Sequence, residues 1–286
     1  MTQNRSQLFL ITLLVFMGAL FTKTIGHAQQ ELILTIATLA LIGISLLLER
    51  RYPLHKTWNQ GTGDTAGDIG SFVVIFGLLD SALKWLSPFV ILALMPDVAR
   101  ASDWPLIWQI LAATLLIELG AYASHYAHHK FAPLWAVHAM HHSTERLYTL
   151  NNFRFHPLNH VLNYLAMFTP LILLGITPTA ILGYTALSMP VLLFQHSNIN
   201  FRFGAFSKLL NTNTVHRWHH SAAYKEGMHN FGRATVIYDH LFGTYHNPDD
   251  ATEPARIGLG FDAMKYPRAN RTLKQILWPF CKSCCA

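Results

Sequence analysis

The sequence predicts an all-α integral membrane protein, a bundle of about four to six membrane helices with a histidine-rich cap on its cytoplasmic face. Of its 286 residues, 51% are hydrophobic and only 13% are charged, whereas about a quarter are charged in a typical soluble domain. Apolar segments recur from the N-terminus to Phe194, and 15 of the 17 histidines lie from His125 onward. We expect one membrane domain over 1–286, with N-terminal membrane helices (1–104), a histidine-motif core (105–250) and a C-terminal tail (251–286).

The first two apolar segments are expected to be membrane helices. Leu8–Phe21 is followed by a short polar link, and a cleaved signal peptide is the competing interpretation of such a segment. A retained helix is favoured, because the link resembles a cleavage site only loosely and another apolar segment follows at once. That second segment, Leu32–Leu48, ends at the charged sequence ERRYP.

The third and fourth segments lead into the histidine-rich region. A loop with several glycines and aspartates, 61–70, precedes the apolar segment Ser71–Leu94. Pro105–Ser124 is the fourth apolar segment, and it carries Glu118 towards its end. Both segments reach the roughly 20 residues that a spanning helix needs.

The last two apolar segments, Val161–Leu174 and Thr177–Phe194, are shorter. Gly175 and Pro178 favour a turn between them. We therefore expect a hairpin that enters the bilayer or only just crosses it.

Positively charged residues indicate the orientation. They are concentrated after the second, fourth and sixth segments, which places these loops and both termini in the cytoplasm, at the bacterial inner membrane. The net charge of +6 comes without any basic run interleaved with aromatic residues, so it suits anionic lipids and not nucleic acid. The basic residues that support this orientation are Arg50, Arg51, Lys56, Lys130, Arg202 and Lys208, against Lys23 and Arg100 on the other side.

The histidines are spaced as metal ligands. An H-x-x-x-H pair at the end of the fourth segment and two H-x-x-H-H motifs each place their imidazoles on one helix face. His196, in FQHSN at the end of the sixth segment, brings the number to nine. Nine imidazoles exceed the four of one tetrahedral zinc, and they fit two metal ions with positions left for oxygen or water. Imidazole suits iron, zinc and copper alike, so ligand type does not identify the metal. The nine are His125, His129, His138, His141, His142, His196, His216, His219 and His220.

Other classes of protein were weighed on the same residues. A zinc-dependent membrane hydrolase stays open, whereas a metal carrier would place its ligands within the helices and a bis-imidazole haem protein would leave most histidines unexplained. The segment GTGDTAGDIG precedes an apolar helix, so it is no nucleotide fingerprint, and no G-x-S-x-G elbow occurs. The three cysteines, Cys281, Cys284 and Cys285, lie in the last six residues, so they form no disulfide framework.

The motifs together resemble those of the fatty acid hydroxylase/sterol desaturase superfamily. The matching stretches are ELGAYASHYAHH, HAMHHSTE, RFHPL, FQHSN, HRWHHS and NFG…YDHLFGTY, in the family's order, over about Ile117 to Tyr245. Members of this family are integral membrane di-metal oxygenases, generally taken as di-iron enzymes, that hydroxylate or desaturate lipid chains and sterols. The resemblance implies that the nine histidines are the ligands.

Some positions depart from the family pattern. Tyr126 replaces a common arginine, and Glu118 stands where an aspartate is usual and could orient a ligand imidazole. Asn200 occupies a position where some members have another histidine, so a tenth ligand would be His156, which we prefer, or His229.

Further residues are assigned supporting or structural roles. Asp239, in YDHLFGTY, is expected with Glu118 and Asn200 to support the ligands from behind. The remaining histidines are interpreted as structural; they are His27, His55, His128, His160, His240 and His246.

The resemblance implies hydroxylation of a lipid C–H bond with O₂ and external electrons, with desaturation by the same site as the near alternative. Two iron ions are the expected cofactors, although zinc could replace them in purified protein. No fused redox motif is present, so the electrons would come from a separate redox protein. The substrate would enter from the bilayer, past aromatic residues next to the ligand motifs: Phe153, Phe155, Phe194 and Trp218.

Overall fold

A computed structural model describes residues 1–94, 101–249 and 252–281. Arg100, Cys284 and Cys285 lie outside these ranges. The described chain is helical throughout and contains no β-strand, only isolated bridges such as Pro53 with Ile199. The predicted all-α class is confirmed.

Five helices are long and apolar enough to cross a membrane, in agreement with the predicted four to six. They are α1 (Gln3–Thr24), α2 (Gln30–Arg51), the continuous stretch Thr65–Ile91, α5 (Leu106–Lys130) and α7 (Pro157–Leu174). The third of these comprises α3 (Thr65–Ser71), a π-helical segment (Phe72–Leu79) and α4 (Asp80–Leu94). The shorter apolar helix α8 (Pro178–Leu192) follows α7.

Most helices begin or end a few residues away from the predicted bounds, and the two largest differences concern the third helix and α5. The third helix begins at Thr65 instead of Ser71, and α5 continues to Lys130 instead of ending at Ser124. In both cases the polar residues at the end of the apolar run remain helical, because other parts of the protein hydrogen-bond to their side chains. The extension of α5 is the part that carries His125 and His129.

The apolar helices pack around α5, which contacts both α7 and α8. Ala113 and Ile117 of α5 and Leu171 of α7 are buried in this core. The outside of the bundle is also apolar, since Leu8, Leu47 and Leu78 are each about two thirds exposed (64%, 67% and 66%). An apolar exterior of this kind suits lipid as the surrounding solvent.

A cap of short helices and loops covers one end of the bundle. It comprises α6 (Ala132–His142), α9 (Asn213–His219), α10 (Tyr224–Gly227), α11 (Ile237–Phe242), α12 (Thr272–Leu277) and the segments between them.

Buried polar contacts join this cap to the bundle. Glu49 at the end of α2 accepts hydrogen bonds from the backbone N–H groups of Thr149 (2.7 Å) and Asn198 (2.8 Å). The ends of α2, α5 and α8 and the starts of α1 and α7 all meet this cap.

Gly120 provides a test of the packing between α5 and α7. A Cβ atom there would overlap the carbonyl oxygen of Ala166, whereas a Cβ at Gly43 of α2 would meet nothing within 4 Å. We expect Gly120→Ala to destabilise the protein by about 1–3 kcal/mol through overpacking. Gly43→Ala should be neutral or stabilising by up to about 1 kcal/mol. Thermal unfolding in detergent measures both, and equal stability of the two variants would contradict the close helix contact.

Candidate metal centre

The structure brings nine histidines together in two groups. His125, His129, His138, His142 and His219 form the five-histidine group, and His141, His196, His216 and His220 form the four-histidine group. Within each group the potential ligand atoms all lie within 4.8 Å of one another. These nine are the histidines that the sequence motifs predict as ligands.

Each H-x-x-H-H motif divides its histidines between the two groups. In α6, His138 and His142 face the five-histidine group, while His141 faces the other. In the second motif, which runs from α9 into the residue after it, the assignment is reversed: His216 and His220 face the four-histidine group, and His219 crosses to the five-histidine group. The i, i+4 pair shares one side of the helix and the i+3 residue lies towards the neighbouring group.

The inner ring nitrogens face each other at the separation of ligands on a common ion. In the five-histidine group, Nε2 of His138 lies 3.1 Å from Nε2 of His125 and 3.2 Å from that of His142. In the other group, Nε2 of His216 lies 3.1 Å from Nε2 of His196 and 3.2 Å from that of His220. Two nitrogens each about 2.1 Å from one metal ion would be separated by roughly 3.0–3.4 Å for bond angles between 90° and tetrahedral.

The outer ring nitrogens of His125 and His138 show that the short contact between these two rings is not an ordinary hydrogen bond. Nδ1 of His125 lies 3.0 Å from the carbonyl oxygen of Phe231, and Nδ1 of His138 lies 3.0 Å from Oδ1 of Asn159. Both Nδ1 atoms therefore carry the single proton of a neutral imidazole, which leaves two bare Nε2 lone pairs facing each other. A cation between them removes that repulsion. The residues present fit a metal ion.

Three more histidines of the two groups have the same arrangement. Nδ1 of His141 donates to the carbonyl oxygen of Arg154 (3.1 Å), and Nδ1 of His219 donates to that of His229 (2.8 Å). Nδ1 of His196 donates to Oδ1 of Asn151 (2.9 Å). Nε2 of His219 is buried and has no hydrogen-bond partner in the described structure, as expected of an atom that faces a metal.

Burial keeps these imidazoles neutral. It lowers the pKa of His141 to about 4, and it lowers the pKa values of His138, His196 and His219 well below the usual range. Neighbouring imidazoles add to the effect for the latter three, because two adjacent positive charges would repel each other. The neutral form that results is the one that binds metal.

Asn159 links His128 to the five-histidine group. Its side-chain N–H donates to Nε2 of His128 (2.9 Å), and its carbonyl oxygen accepts from Nδ1 of His138. Nδ1 of His128 donates to the carbonyl oxygen of Ser124 (2.7 Å), which fixes the acceptor at Nε2. His128 is therefore structural, as predicted, and it orients the amide of Asn159 for its contact with His138.

Arg154 connects the four-histidine group with the bundle and with the C-terminal segment. Its backbone carbonyl holds His141, while its fully buried guanidinium pairs with Asp68 of α3. The same guanidinium donates to Oε1 of Gln275 on α12 (2.7 Å) and to the carbonyl of Ala269. A displacement of either partner would move the peptide unit that orients His141.

The expected tenth ligand, His156, lies outside both groups. Its Nδ1 accepts the N–H of Leu158 (3.1 Å) at the start of α7, and its Nε2 donates to the carbonyl of Ile276 (3.0 Å). Both ring nitrogens are thus engaged, and His156 caps a helix. His229, the alternative, contributes its backbone carbonyl to His219 and is not a member of either group.

Two of the three expected supporting residues, Glu118 and Asn200, make their described contacts away from the imidazoles of the two groups. Glu118 accepts hydrogen bonds from Tyr184 (2.6 Å) and from the N–H groups of Ala234 and Thr235, so it anchors the loop after α10 and holds no imidazole. Asn200 uses its backbone: its N–H donates to Tyr52 and its carbonyl accepts from the N-terminal amine.

Asp239 supports His125 indirectly, through the peptide units of Phe231 and Gly232. It accepts from the N–H groups of Phe231 and Gly232 (both 2.8 Å), and the carbonyl of Phe231 in turn holds His125. Burial raises the pKa of Asp239 to about 6, although these hydrogen bonds favour its ionised form.

The four aromatic residues predicted to line a substrate path separate into two pairs. Phe155 stacks on His141 with ring centroids 4.5 Å apart, and Phe153 packs beside it towards Phe76 of the π-helical segment. Phe194 instead packs in the core against Phe9 of α1 (5.3 Å). Trp218 meets His246 edge to face (5.1 Å).

Sequence reasoning missed the acceptors behind the ligands. Asn159 and Asn151 carry a usable signal, since each is a polar side chain next to a histidine motif, and both are fully buried in the structure (0% and 1% exposed). The carbonyls of Phe231, Arg154 and His229 carry none, because every residue type offers a backbone carbonyl.

Comparison with known proteins supplies relatives over most of the chain. A model of the family "Fatty acid hydroxylase" matches residues 110–244. The ornithine lipid hydroxylase of Rhizobium tropici is 31% identical over 256 residues, which cover 85% of this chain and 77% of that protein. Alkylglycerol monooxygenases of Danio rerio and Homo sapiens are 27% and 26% identical over about half of this chain and 32% of their own lengths. No solved structure matches the chain.

Replacing Asn159 tests the role of the outer acceptors. Asn159→Leu removes the acceptor of His138, and we expect metal affinity to fall about 10- to 100-fold. Asn159→Asp keeps an acceptor oxygen and should restore part of the affinity. Asn152→Leu is the control, because the side chain of Asn152 donates to the carbonyl of Leu192. Chelator competition measures the affinity, and equal values for the Asn159→Leu and Asn152→Leu proteins would contradict the assignment.

His156 and His141 form a second matched pair. His141→Gln removes a member of the four-histidine group, so we expect a loss of bound metal. His156→Gln should leave the metal content unchanged, because both nitrogens of His156 are engaged elsewhere. Elemental analysis of the purified variants measures their metal content. Metal loss in the His156 variant would show that His156 is a ligand after all.

Proposed function

The chain belongs to the fatty acid hydroxylase family, within the fatty acid hydroxylase/sterol desaturase superfamily, and we propose that it is a di-iron enzyme that hydroxylates a C–H bond of a membrane lipid. It is an oxygen-dependent oxidoreductase with several membrane helices. The observation that supports the proposal is the pair of neighbouring histidine groups, in which inner ring nitrogens face each other at the separation of ligands on a common cation. The two groups would hold one iron ion each.

The reaction explains the need for this site. A methylene group of a lipid has no acidic proton and no leaving group, so acid–base side chains do not cleave its C–H bond. Two bound irons, with O₂ and external electrons, would supply the oxidising power that the side chains lack. Overall, one O₂, two electrons and two protons convert the C–H bond into an alcohol and release one water molecule.

The residues of the chain hold and shield the reacting centre. Nine neutral imidazoles leave more positive charge on the ions than a carboxylate-rich site would. The four-histidine group has one protein ligand fewer than its neighbour, which leaves it room for an exogenous ligand. Outer hydrogen bonds to carbonyl and amide oxygens fix the ring orientations.

An aromatic wall connects this centre with the lipid-facing side of the bundle. Phe155 lies on His141, Phe76 contacts Phe153 (5.3 Å) and Phe72 contacts Phe153 (4.8 Å). Phe72 and Phe76 belong to the π-helical segment, whose Val73 and Leu78 are exposed on the outside of the bundle. π-Helical turns are frequent at functional sites. We assign this wall to the lipid chain, which would pass along it to the four-histidine group with water excluded.

The histidine cap would face the cytoplasm of a bacterium, at the inner membrane. This orientation follows from Arg50, Arg51 and Lys56, which leave α2 at the end of the bundle that bears the cap. A separate cytoplasmic redox protein would then deliver the electrons to the cap.

The relatives favour hydroxylation over desaturation and a lipid with a polar headgroup. The names of the three relatives describe a hydroxylase of ornithine lipids and two monooxygenases of alkylglycerols. We therefore take membrane lipids built on an amino acid or on glycerol as the first substrates to test.

Metal content and product together test the proposal. We expect about two irons per chain in protein purified anaerobically without added metal, one for each histidine group. Supplied with lipid, O₂ and a reductant, this protein should yield lipid with one added oxygen atom, detected by mass spectrometry. His219→Ala should lose this activity but still insert in the membrane. A new double bond instead of added oxygen would identify a desaturase, and hydrolysis with zinc bound would identify a hydrolase.

A further inference from the structure

A cleft lies in the cap, next to segments that carry histidines of the four-histidine group. This cleft, of about 670 Å³, opens between the loop after α2, the end of α6, α9 and the segment 253–257. Its volume is within the range of small-molecule sites. The charged and aromatic side chains that line it are His55, Trp58, Glu145, Arg217, Glu253 and Arg256.

Every wall of the cleft is attached to a segment that carries a histidine of the four-histidine group. Arg217 follows His216 on α9, and its side chain is only 5% exposed. The backbone of the 253–257 segment is held by Ala222, whose N–H donates to the carbonyl of Arg256 (2.8 Å), and the next residue, Gly258, donates to the carbonyl of His220 (3.0 Å).

The opposite wall is held in the same way. The N–H of His55 donates to Oδ1 of Asn198 (3.0 Å), and Nδ2 of Asn198 donates back to the carbonyl of His55 (2.8 Å). Asn198 lies two residues after His196. A molecule in the cleft would thus lie against the supports of three histidines of one group.

The cleft combines charges of both signs with an aromatic wall. Glu145 and Glu253 provide carboxylates, while Arg217 and Arg256 provide guanidinium groups. Glu253 contacts Nε2 of His55 at 2.8 Å and Nη1 of Arg217 at 4.0 Å. Carboxylates and an indole ring favour an ammonium group, and guanidinium groups favour a phosphate or carboxylate.

The cleft also lies close to the end of a membrane helix, where lipid headgroups would be expected. His55 and Trp58 follow the end of α2 at Arg51 by only a few residues. Tryptophan is enriched at this boundary between membrane and water. Lys56, in the same loop, adds attraction for anionic groups.

We propose that this cleft binds the zwitterionic headgroup of a lipid, one that carries an ammonium group together with a phosphate or carboxylate. The inference rests on the proposed function, because it takes the ligand to be the lipid substrate whose chain follows the aromatic wall. It adds the class of that substrate: an aminolipid is preferred over an anionic or a neutral lipid. The headgroup would hold the lipid while its target carbon lies at the four-histidine group.

Native mass spectrometry of the full-length protein in detergent tests the cleft without turnover. The probes are dioleoyl phosphatidylethanolamine, dioleoyl phosphatidylglycerol and dioleoylglycerol, which share their chains and differ in the headgroup. We expect phosphatidylethanolamine to bind about tenfold more tightly than either other lipid, as charge-assisted hydrogen bonds would provide. Equal or tighter binding of phosphatidylglycerol would overturn the proposal.

Substitutions of cleft residues test whether the preference for phosphatidylethanolamine arises in the cleft. Glu145→Gln combined with Arg256→Gln changes two exposed cleft residues and should abolish the preference for phosphatidylethanolamine. Lys225→Gln is the matched control, since Lys225 is exposed on α10 of the same cap and does not line the cleft. An unchanged preference in the double variant would also overturn the proposal.

A competition experiment distinguishes a lipid ligand from a soluble zwitterion. Free O-phosphoethanolamine should compete only weakly with the lipid; competition at equal concentration would assign the cleft to a soluble molecule and contradict the proposed ligand. The proposed function is tested separately from this result. A protein that prefers aminolipids but never oxidises them keeps the cleft assignment and loses the hydroxylase assignment.

Discussion

The structure depends on one constraint: nine imidazoles converge, and five of them direct their outer nitrogens at acceptors so that their inner nitrogens are bare. A neutral imidazole has one proton, so a bare inner nitrogen requires that the outer nitrogen donate its N–H to an acceptor. The cap supplies such acceptors at Phe231, Asn159, Arg154, Asn151 and His229. Much of its irregular backbone has this task, which explains why loops, and not further regular helices, surround the ligands.

The same constraint explains how the membrane bundle and the cap are joined. Acceptors are useful only if they stay in place, and they are held from the bundle side by buried charges: Asp68 of α3 binds Arg154, and Glu49 of α2 binds the loops that bear Asn151 and Asn198. Such groups are costly to bury unless they are fully paired. Here each is satisfied by several partners, so the charges align the two parts of the molecule.

The sequence predicts most of the helical fold, because the length and polarity of a membrane helix are determined by the bilayer. It misses the extensions at Thr65 and Lys130, where polar residues stay helical through contacts with distant segments. Eight of the nine histidines that converge are predicted from their spacing, since i, i+3 and i+4 positions share a helix face whatever surrounds them, and His196 is predicted from its place at the end of an apolar segment. The roles of His156 and Glu118 are not, because a ring or carboxylate near the motifs has several polar neighbours and only the tertiary structure selects among them. Whether these histidines bind iron is a matter of chemistry that spacing does not determine.

The exchange of histidines between α6 and α9 has a consequence for how the centre assembles. His141 and His219 each belong to a different group from the other two histidines of their motif. Each motif therefore contributes to both groups, so neither helix can shift without disturbing both. An ion that enters either group therefore immobilises ligands of the second before anything binds there. Binding of the second ion then costs less conformational entropy, because some of its ligands are already ordered. Binding of the two ions should therefore be positively cooperative. Protein with a single ion would then be a minor species during loading.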